Sequence, residues 1–297
     1  MTPGDLALLL GSWELSLRAE RKSPQTLKAY GDGVRAYLKW ATANGLEANL
    51  SRAQVRGFVD ALLSGGAAAA TARSRQLAVR RFSAWLLEEG ETTSDPLVGM
   101  KPPKIDQVVV EPLTDAELKA LLKACAGNEF RDRRDEAIIR LMFETGSRAG
   151  ETAAIQMDDV DLPEGTVIIR KGKGGKGRSV PIGPEIAKAI DRYIRVRRTH
   201  RLASSPQLWL GDRGKSFTYD ALHKTLAMRA AKAGVDGFHP HRLRHTAAHR
   251  WLAAGGSEGG LMAVAGWTRP DMLLRYTKAQ ASNRAAEESK RLNLGEL

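Results

Sequence analysis

The sequence predicts a mainly α-helical protein with one small β-sheet, an α+β arrangement divided into two domains. Three observations support this prediction: capped segments with apolar residues at helical spacing, a proline-rich interruption after the first third, and one pair of β-branched segments in the second half. We therefore place a helical domain at residues 1–92, a linker at 93–112 and an α+β domain at 113–297.

Capping residues mark the helices of the first domain. Ser23 followed by Pro24 predicts a helix start, because serine caps helix N-termini and proline fits the first turn. Ser51 with Gln54 predicts a capping box for the next helix. A further helix, at residues 67–89, carries several arginines beside an apolar stripe. Its basic face is either solvated or directed toward a nucleic-acid groove.

The second domain is predicted to begin after the prolines of the linker. Thr114 with Glu117 predicts a capping box at its first helix. Residues 166–170 and 179–182 flank a glycine-rich loop and are rich in β-branched side chains, so they predict a β-hairpin, with 207–210 as a candidate third strand. Later helices are predicted at residues 219–233, 241–254 and 257–265.

Composition points to a polyanionic partner. The chain has 46 Lys and Arg residues against 34 Asp and Glu, a net charge of +12 that is typical of nucleic-acid binders. Its single cysteine, Cys125, lies in an apolar stretch and predicts a buried thiol, without a disulfide framework or a Cys/His zinc pattern. The sequence shows neither a membrane span nor a signal-peptide pattern, so we expect a reducing cytoplasm.

Residues 145–151 form the first of four segments that carry charged or nucleophilic side chains. Gly146 predicts the end of one helix, and Ser147 predicts the cap of the next. Arg148 would then lie in the first helical turn, where backbone N–H groups also attract anions. Taken alone, this arginine is better explained as a surface residue.

The second segment is the hairpin loop, which contains five cations within nine residues, namely Arg170, Lys171, Lys173, Lys176 and Arg178. Its glycines would let the backbone approach a partner closely. The loop is therefore either a flexible basic surface or a contact with an anion. It lacks the residue order of a P-loop.

Histidines dominate the third segment, residues 239–245. His241 and Arg244 are three residues apart, which predicts that they share one face of a helix. His245 and His249 have metal-ligand spacing, but the glutamate of an HExxH zinc pattern is absent. A hydrogen-bonded core histidine is therefore favoured over a metal ligand at His245.

The fourth segment, residues 265–277, places Trp267 and Tyr276 in an amphipathic stretch. Alone, such a tyrosine would be a core residue, but the order of the four segments changes that interpretation. Together they resemble the tyrosine recombinases, the family of Xer proteins, phage integrases and Cre. The family pattern is a TGxR box, a hairpin GKG, an HxxR box, a GH or GW pair and a tyrosine. Its members here are Arg148, Lys173, His241 with Arg244, Trp267 and Tyr276.

The resemblance covers the whole of 113–297, which would be the catalytic domain. The helical domain at 1–92 resembles, less closely, the DNA-binding core domain of the family. Two positions depart from the commonest pattern: Trp267 stands where many members have histidine, and Ser147 replaces a usual leucine. An indole N–H can still donate one hydrogen bond, although it cannot carry a proton to the substrate.

The resemblance implies a reaction in which Tyr276 attacks a DNA phosphate and forms a 3′-phosphotyrosine linkage, with no cofactor, metal or ATP. Arg148 and Arg244 would grip the non-bridging oxygens, since guanidinium groups bind phosphate bidentately. Lys173 would protonate the leaving 5′-oxygen, and His241 would act as base or orienting group. The partners implied are double-stranded DNA at a specific recombination site and a tetramer of the protein on it.

Three other interpretations are kept open by the residues themselves. The chain could be a DNA-binding protein that has lost catalysis, or a type IB topoisomerase with the same chemistry. It could also be a metal-dependent nuclease or transposase that uses Asp158, Asp159 and Asp161, although these acids are more simply explained as turn residues. Two expectations accompany the recombinase interpretation: Glu151 orients Arg148, and the C-terminal tail after Ala281 docks on a neighbouring protomer.

Overall fold

The computed structural model describes residues 3–105, 110–170, 177–269 and 273. It confirms the predicted fold class, because the described residues are mostly helical and include a three-stranded antiparallel sheet. The chain divides into two compact units, Met1–Val108 and Val109–Leu297. The narrower domain and linker bounds given above stay a prediction. Among the described helices, none is long and apolar enough to cross a bilayer.

The helices of the first unit begin where the caps predict. Its described helices are α1 Pro3–Ala19, α2 Pro24–Ala43, α3 Arg52–Ser64 and α4 Ala69–Glu88. Ser23 caps α2 by accepting the Thr26 N–H at 3.1 Å, as predicted. Ser51 caps α3, but the Gln54 side chain does not complete the predicted box; it instead accepts the Asn49 N–H at 2.7 Å.

Aromatic side chains fill the core of the first unit. Trp13 of α1 stacks on Tyr30 of α2, with ring centroids 5.7 Å apart, and contacts Phe82 of α4. The helices α2 and α4 approach closely at Gly33, where a Cβ atom would lie 2.5 Å from the Cβ of Ala78. Glycine is required there because any larger side chain would push the two helices apart.

Part of the proline-rich segment packs into the first unit. Leu97 and Met100 are buried against Tyr37 and Phe58. The Arg52 guanidinium holds the segment by donating to the Pro96 carbonyl at 2.7 Å. These contacts assign the residues around Leu97 to the core of the first unit, which their composition did not predict.

The second unit consists of helices around a small sheet. Its described helices are α5 Asp115–Lys123, α6 Phe130–Thr145, α7 Ala149–Ala153, α8 Pro184–Arg197, α9 Tyr219–Lys232, α10 Pro240–Ala253 and α11 Glu258–Ala265. The predicted capping box at α5 is confirmed, because Thr114 accepts the Glu117 N–H at 3.1 Å and Glu117 accepts the Thr114 N–H at 2.7 Å.

The sheet of the second unit contains the predicted hairpin. Its strands are β1 Val160–Asp161, β2 Thr166–Ile169 and β3 Arg178–Pro181, in the order β1-β2-β3. The register pairs Val167 with Val180 and Ile169 with Arg178. Val167 and Val180 are buried, so this face of the hairpin packs into the core of the unit.

The candidate third strand at 207–210 is wrong. Only isolated bridges join this segment to Gln156 and Ser216, and β1 occupies the free edge of β2 instead. Leu208, Trp209 and Leu210 are buried, and Arg197 at the end of α8 donates to the carbonyls of Gln207 and Leu208. Side-chain donors thus satisfy backbone groups that a ladder would otherwise pair.

Cys125 follows the end of α5 and confirms the predicted buried thiol. Its side chain is 1% exposed and lies in the main hydrophobic core of the second unit. Burial raises the pKa of this thiol to about 12, so it stays protonated at neutral pH and is a poor nucleophile.

Candidate active site

Arg148 lies at the start of the short helix α7. The preceding helix α6 ends at Gly146, which adopts a left-handed φ of 64°. Our prediction that Ser147 caps the next helix is wrong: Arg148 is the capping position, and the buried Ser147 hydroxyl instead hydrogen-bonds Thr152 at 2.8 Å. Arg148 therefore precedes the first helical turn rather than lying within it.

The Glu151 carboxylate holds both the side chain and the backbone of Arg148 in place. The Glu151 carboxylate accepts the Arg148 guanidinium at 2.7 Å and the Arg148 backbone N–H at 3.0 Å. The Glu151 side chain is 4% exposed, whereas 30% of the Arg148 side chain stays accessible. This geometry agrees with the expected orienting role of Glu151 and leaves the arginine able to meet a ligand.

Arg178, the first residue of β3, approaches Glu151 from the other side. Its Nη2 donates to Glu151 Oε2 at 2.8 Å, and its Nε donates to the Val264 carbonyl at 2.8 Å. Burial alone would raise the pKa of Glu151, but hydrogen bonds from Arg178 and Arg148 outweigh it and hold that pKa below its ordinary value. Glu151 is therefore an anion at neutral pH.

Arg244 lies on α10, next to the turn that precedes Arg148. It is 1% exposed, and its Nη1 donates to the Gly146 carbonyl. Its guanidinium carbon lies 5.2 Å from the ring centroid of Trp267, a cation–π contact. The sequence predicted that Arg244 shares a helix face with His241 and acts together with Arg148, but it did not predict that this arginine is almost fully buried.

Trp267 is positioned by the end of α11. The helix ends at Gly266, which has a φ of 63°, and a Cβ atom there would lie 2.7 Å from Arg178 Nη1. Glycine at this position therefore leaves room for the Arg178 guanidinium. Trp267 itself is 4% exposed and packs in a small cluster with Leu252, Leu261 and other buried residues.

Two histidines of α10 lie against each other. His241 is exposed at the start of the helix, and its ring meets that of His245 edge-on at 4.8 Å. His245 is nearly buried, and burial followed by the charge of His241 lowers its pKa to about 4. His245 is therefore neutral at physiological pH, as expected of a core histidine, while His241 remains accessible to a ligand.

Contacts around a closed path join five of these side chains. Arg244 binds Gly146, two residues before Arg148, and stacks on Trp267. Arg148 binds Glu151, and Arg178 connects Glu151 to the carbonyl of residue 264, close to Trp267. Three guanidinium groups thus lie on one framework, which suits an anion such as a phosphodiester. The predicted Lys173 and Tyr276 lie outside the described residues.

The acids of the nuclease interpretation do not form an open site. Asp159 is buried, and its carboxylate already accepts the Gln156 N–H at 2.8 Å and the Arg170 guanidinium. Within the described ranges, no group of three or more His, Cys, Asp or Glu side chains could hold a metal ion. Asp159 therefore supports the turn before the sheet.

Both parts of the chain match known protein families. The phage integrase family matches residues 111–283, and the N-terminal SAM-like domain of phage integrases matches residues 10–90. The tyrosine recombinase XerC of Chromobacterium violaceum is 33% identical over 244 residues, covering 82% of this chain and 79% of that protein. The tyrosine recombinase XerA of Thermococcus kodakarensis is 30% identical over 288 residues, covering 96% and 95%. The chain belongs to the phage integrase family of tyrosine recombinases.

Solved structures share the fold at low sequence identity. The XerH site-specific recombinase bound to palindromic difH substrate has a TM-score of 0.74 and 17% identity, with 97% of this chain and 84% of that chain covered. A lambda integrase tetramer bound to a Holliday junction has a TM-score of 0.71 and 15% identity, with coverage of 91% and 78%. These structures confirm the two-part fold that the resemblance implied.

Proposed function

We propose that this protein is a site-specific DNA recombinase that cleaves and rejoins strands through a 3′-phosphotyrosine intermediate on Tyr276. The observation that carries this proposal is the framework that joins Arg148, Glu151, Arg244 and Trp267. Family membership and the order of the sequence boxes supply the remaining support. The proposed catalytic residues are Arg148, Lys173, His241, Arg244, Trp267 and Tyr276.

The two arginines stabilise the negative charge that develops on the phosphate. Arg148 and Arg244 donate to the non-bridging oxygens, and each guanidinium remains charged at any physiological pH. Burial strengthens the field of Arg244, because the surrounding protein has a lower effective dielectric constant than water. In this scheme the arginines supply the charge that a metal ion supplies in other phosphoryl-transfer enzymes, and the reaction uses no cofactor.

Proton transfers complete the reaction. A tyrosine hydroxyl has an ordinary pKa of about 10, so Tyr276 needs a base or an orienting group before it attacks, a role that we assign to the accessible His241. Attack forms the Tyr276 oxygen–phosphorus bond and breaks the bond to the 5′-oxygen. Lys173 gives that oxygen its proton, and Trp267 contributes an N–H donor. The phosphotyrosine preserves the bond energy, so rejoining needs no ATP.

The substrate of this reaction is double-stranded DNA at a specific recombination site. The net charge of +12 suits such a polyanion. Related structures contain a XerH complex with its difH substrate and a lambda integrase tetramer on a Holliday junction. Exchange of strands between two duplexes needs four active sites, so we infer a tetramer on DNA. We also place the protein in the cytoplasm, where its DNA substrate is accessible.

A suicide substrate tests the proposal directly. A nicked recombination site that loses a short fragment after cleavage traps the covalent adduct, which migrates as a protein–DNA band. We expect the wild-type protein to form this band in EDTA, whereas Tyr276→Phe forms none and still binds DNA. An adduct in Tyr276→Phe would assign the attack to another residue. Cleavage that requires a divalent metal would favour a nuclease, and relaxation without site preference would favour a topoisomerase.

A chemically altered leaving group tests the role of Lys173. A 5′-bridging phosphorothiolate expels a thiolate, which leaves without a proton. We expect this substrate to restore cleavage by Lys173→Ala but not by Arg148→Ala, because only the lysine supplies a proton. The matched control is Lys176→Ala in the same loop. Rescue of Lys176→Ala and not of Lys173→Ala would move the acid to the other lysine.

A further inference from the structure

We propose that Arg178 is a positioning residue of the recombinase site, which ties the base of the β-hairpin to Arg148 through Glu151 and to the segment that leads to Trp267. This inference rests on the proposed function. It assigns to one arginine of the basic hairpin a role that differs from DNA contact.

The contacts of Arg178 point inward. Its side chain is 13% exposed, its Nη2 donates to Glu151 Oε2 at 2.8 Å and its Nε donates to the Val264 carbonyl at 2.8 Å. The same Glu151 carboxylate holds the Arg148 guanidinium at 2.7 Å. Arg178 thus acts on Arg148 through one shared anion.

The planar fork of arginine suits this position. Two nitrogens of one rigid guanidinium satisfy a carboxylate and a carbonyl in different directions, which the single ammonium of lysine does less well. Gly266 makes the room, since a Cβ atom there would lie 2.7 Å from Arg178 Nη1. The end of α11 and the start of β3 are therefore fitted to each other around this side chain.

Arg178 also keeps the site positively charged. Glu151 carries one negative charge and lies against two arginines, so it does not neutralise both of them. Without Arg178, the charge of Glu151 would be matched by Arg148 alone, and the pair would present little net charge to a phosphate. The cation at position 178 thus leaves the accessible Arg148 able to attract an anion.

The position of Arg178 in the sheet connects it to the hairpin. It pairs with Ile169 at the open end of the β2–β3 ladder, so it closes the base of the loop that contains Lys173. Fixing this base against Glu151 and Val264 determines where the loop starts relative to Arg148. We therefore expect Arg178 to affect the chemical step through Arg148 and the hairpin, without touching DNA itself.

The test is single-turnover formation of the covalent adduct at saturating protein. Arg178→Met should slow the adduct by about 10²-fold, a typical cost of misplacing reacting groups, while DNA affinity stays near that of wild type. Arg178→Lys keeps the charge, so its rate of adduct formation should lie between the rates of wild type and Arg178→Met. It also gives a result if Arg178→Met does not fold. A wild-type rate in both variants would overturn the proposal.

A matched arginine controls for the loss of a partly buried cation. Arg140 on α6 has a 21% exposed side chain and binds Glu136 at 2.9 Å, outside the site. We expect Arg140→Met to form the adduct at the wild-type rate. An equal slowing in Arg140→Met would show a general loss of structure and would overturn the specific role of Arg178.

A double-mutant cycle separates positioning from an independent effect. If Arg178 acts through Arg148, then Arg178→Met should cost much less in an Arg148→Ala background than in wild type, because coupled residues are non-additive. Full additivity of the two losses would overturn the proposal. Absence of any adduct from the wild-type protein would instead overturn the proposed function itself, so the two failures are distinguishable.

Discussion

Glu151 and Asp135 are both buried carboxylates of the second unit, and each lies between two arginines. Asp135 is 0% exposed; it accepts Arg134 Nε at 2.9 Å and Arg229 Nε at 2.7 Å. In that cluster the arginines are buried as well, and they also donate to backbone carbonyls, Arg134 to Leu210 at 3.0 Å and Arg229 to Ala124 at 2.9 Å.

The two clusters differ in whether one of their two arginines is accessible to solvent. Around Asp135 the guanidinium groups face protein, so they join α6 to α9 and to the segment at residue 210. Around Glu151, Arg178 faces protein but 30% of Arg148 remains accessible. The same arrangement therefore stabilises the fold in one place and presents a charge in the other. The predictions that follow test this difference.

Arg148→Ala should give the largest effect, confined to chemistry. We expect single-turnover cleavage to fall by roughly 10²–10⁵-fold, the range for lost charge-stabilising donors. Stability should change little, because Glu151 keeps its bond to Arg178. Cleavage kinetics measure the chemical step, and thermal unfolding of the same preparation measures stability. A loss of cleavage below about tenfold would remove Arg148 from the site.

Asp135→Asn should give the opposite pattern, with lost stability and intact chemistry. Removing this charge leaves Arg134 without its nearest carboxylate and Arg229 with Asp132 alone, and breaking such buried pairs costs about 3 kcal/mol or more. Urea unfolding measures the loss. The adduct rate per folded molecule should equal that of wild type. A selective loss of cleavage in a stable Asp135→Asn protein would break the distinction between the clusters.

His245 extends the comparison to pH, because it is a buried imidazole beside the site. Its folded pKa of about 4 lies below its ordinary value of 6.5, so the unfolded chain takes up the proton first. The contribution of neutral His245 to the free energy of unfolding is present above pH 6.5 and is lost as pH falls toward 4. The charged or titratable groups that affect it are His239, His241, Arg244 and His249.

The measurement is the free energy of unfolding of wild type and His245→Gln from pH 7 to pH 4. The wild-type protein should lose on the order of 2–4 kcal/mol more than the variant across this range. Parallel curves for the two proteins would show that folding does not lower the pKa of His245.

Breaking an exposed ion pair should have the smallest effect on stability. Arg35 of α2 binds Glu14 of α1 at 2.7 Å, with half of the arginine side chain exposed. Water and salt screen such a pair, so Arg35→Met should change the free energy of unfolding by at most about 1 kcal/mol. Thermal unfolding at low and high salt measures it. A loss as large as that of Asp135→Asn would mean that burial does not explain the ranking.

The helix caps that the sequence predicted correctly join residues that are close together in the chain. The caps at Ser23 and Thr114 act within three residues, and both were predicted. Ser147 failed as a cap because its hydroxyl is buried against Thr152, a choice that depends on packing. For Arg178, period two along β3 places it on the same face as the buried Val180, a signal that could have indicated its inward direction.

The sequence by itself determined the family, the helical class, the hairpin and the order of the proposed catalytic residues, because these depend on local patterns and on short motifs. Tertiary structure alone decided that Arg244 stacks on Trp267, that Leu97 joins a core and that Arg178 binds Glu151 and Val264. The contacts of Arg178 with Glu151 and Val264 join residues that are 27 and 86 positions apart in the chain. No local propensity encodes such contacts, since they form only when packing brings distant backbone segments together and buries the charges that join them.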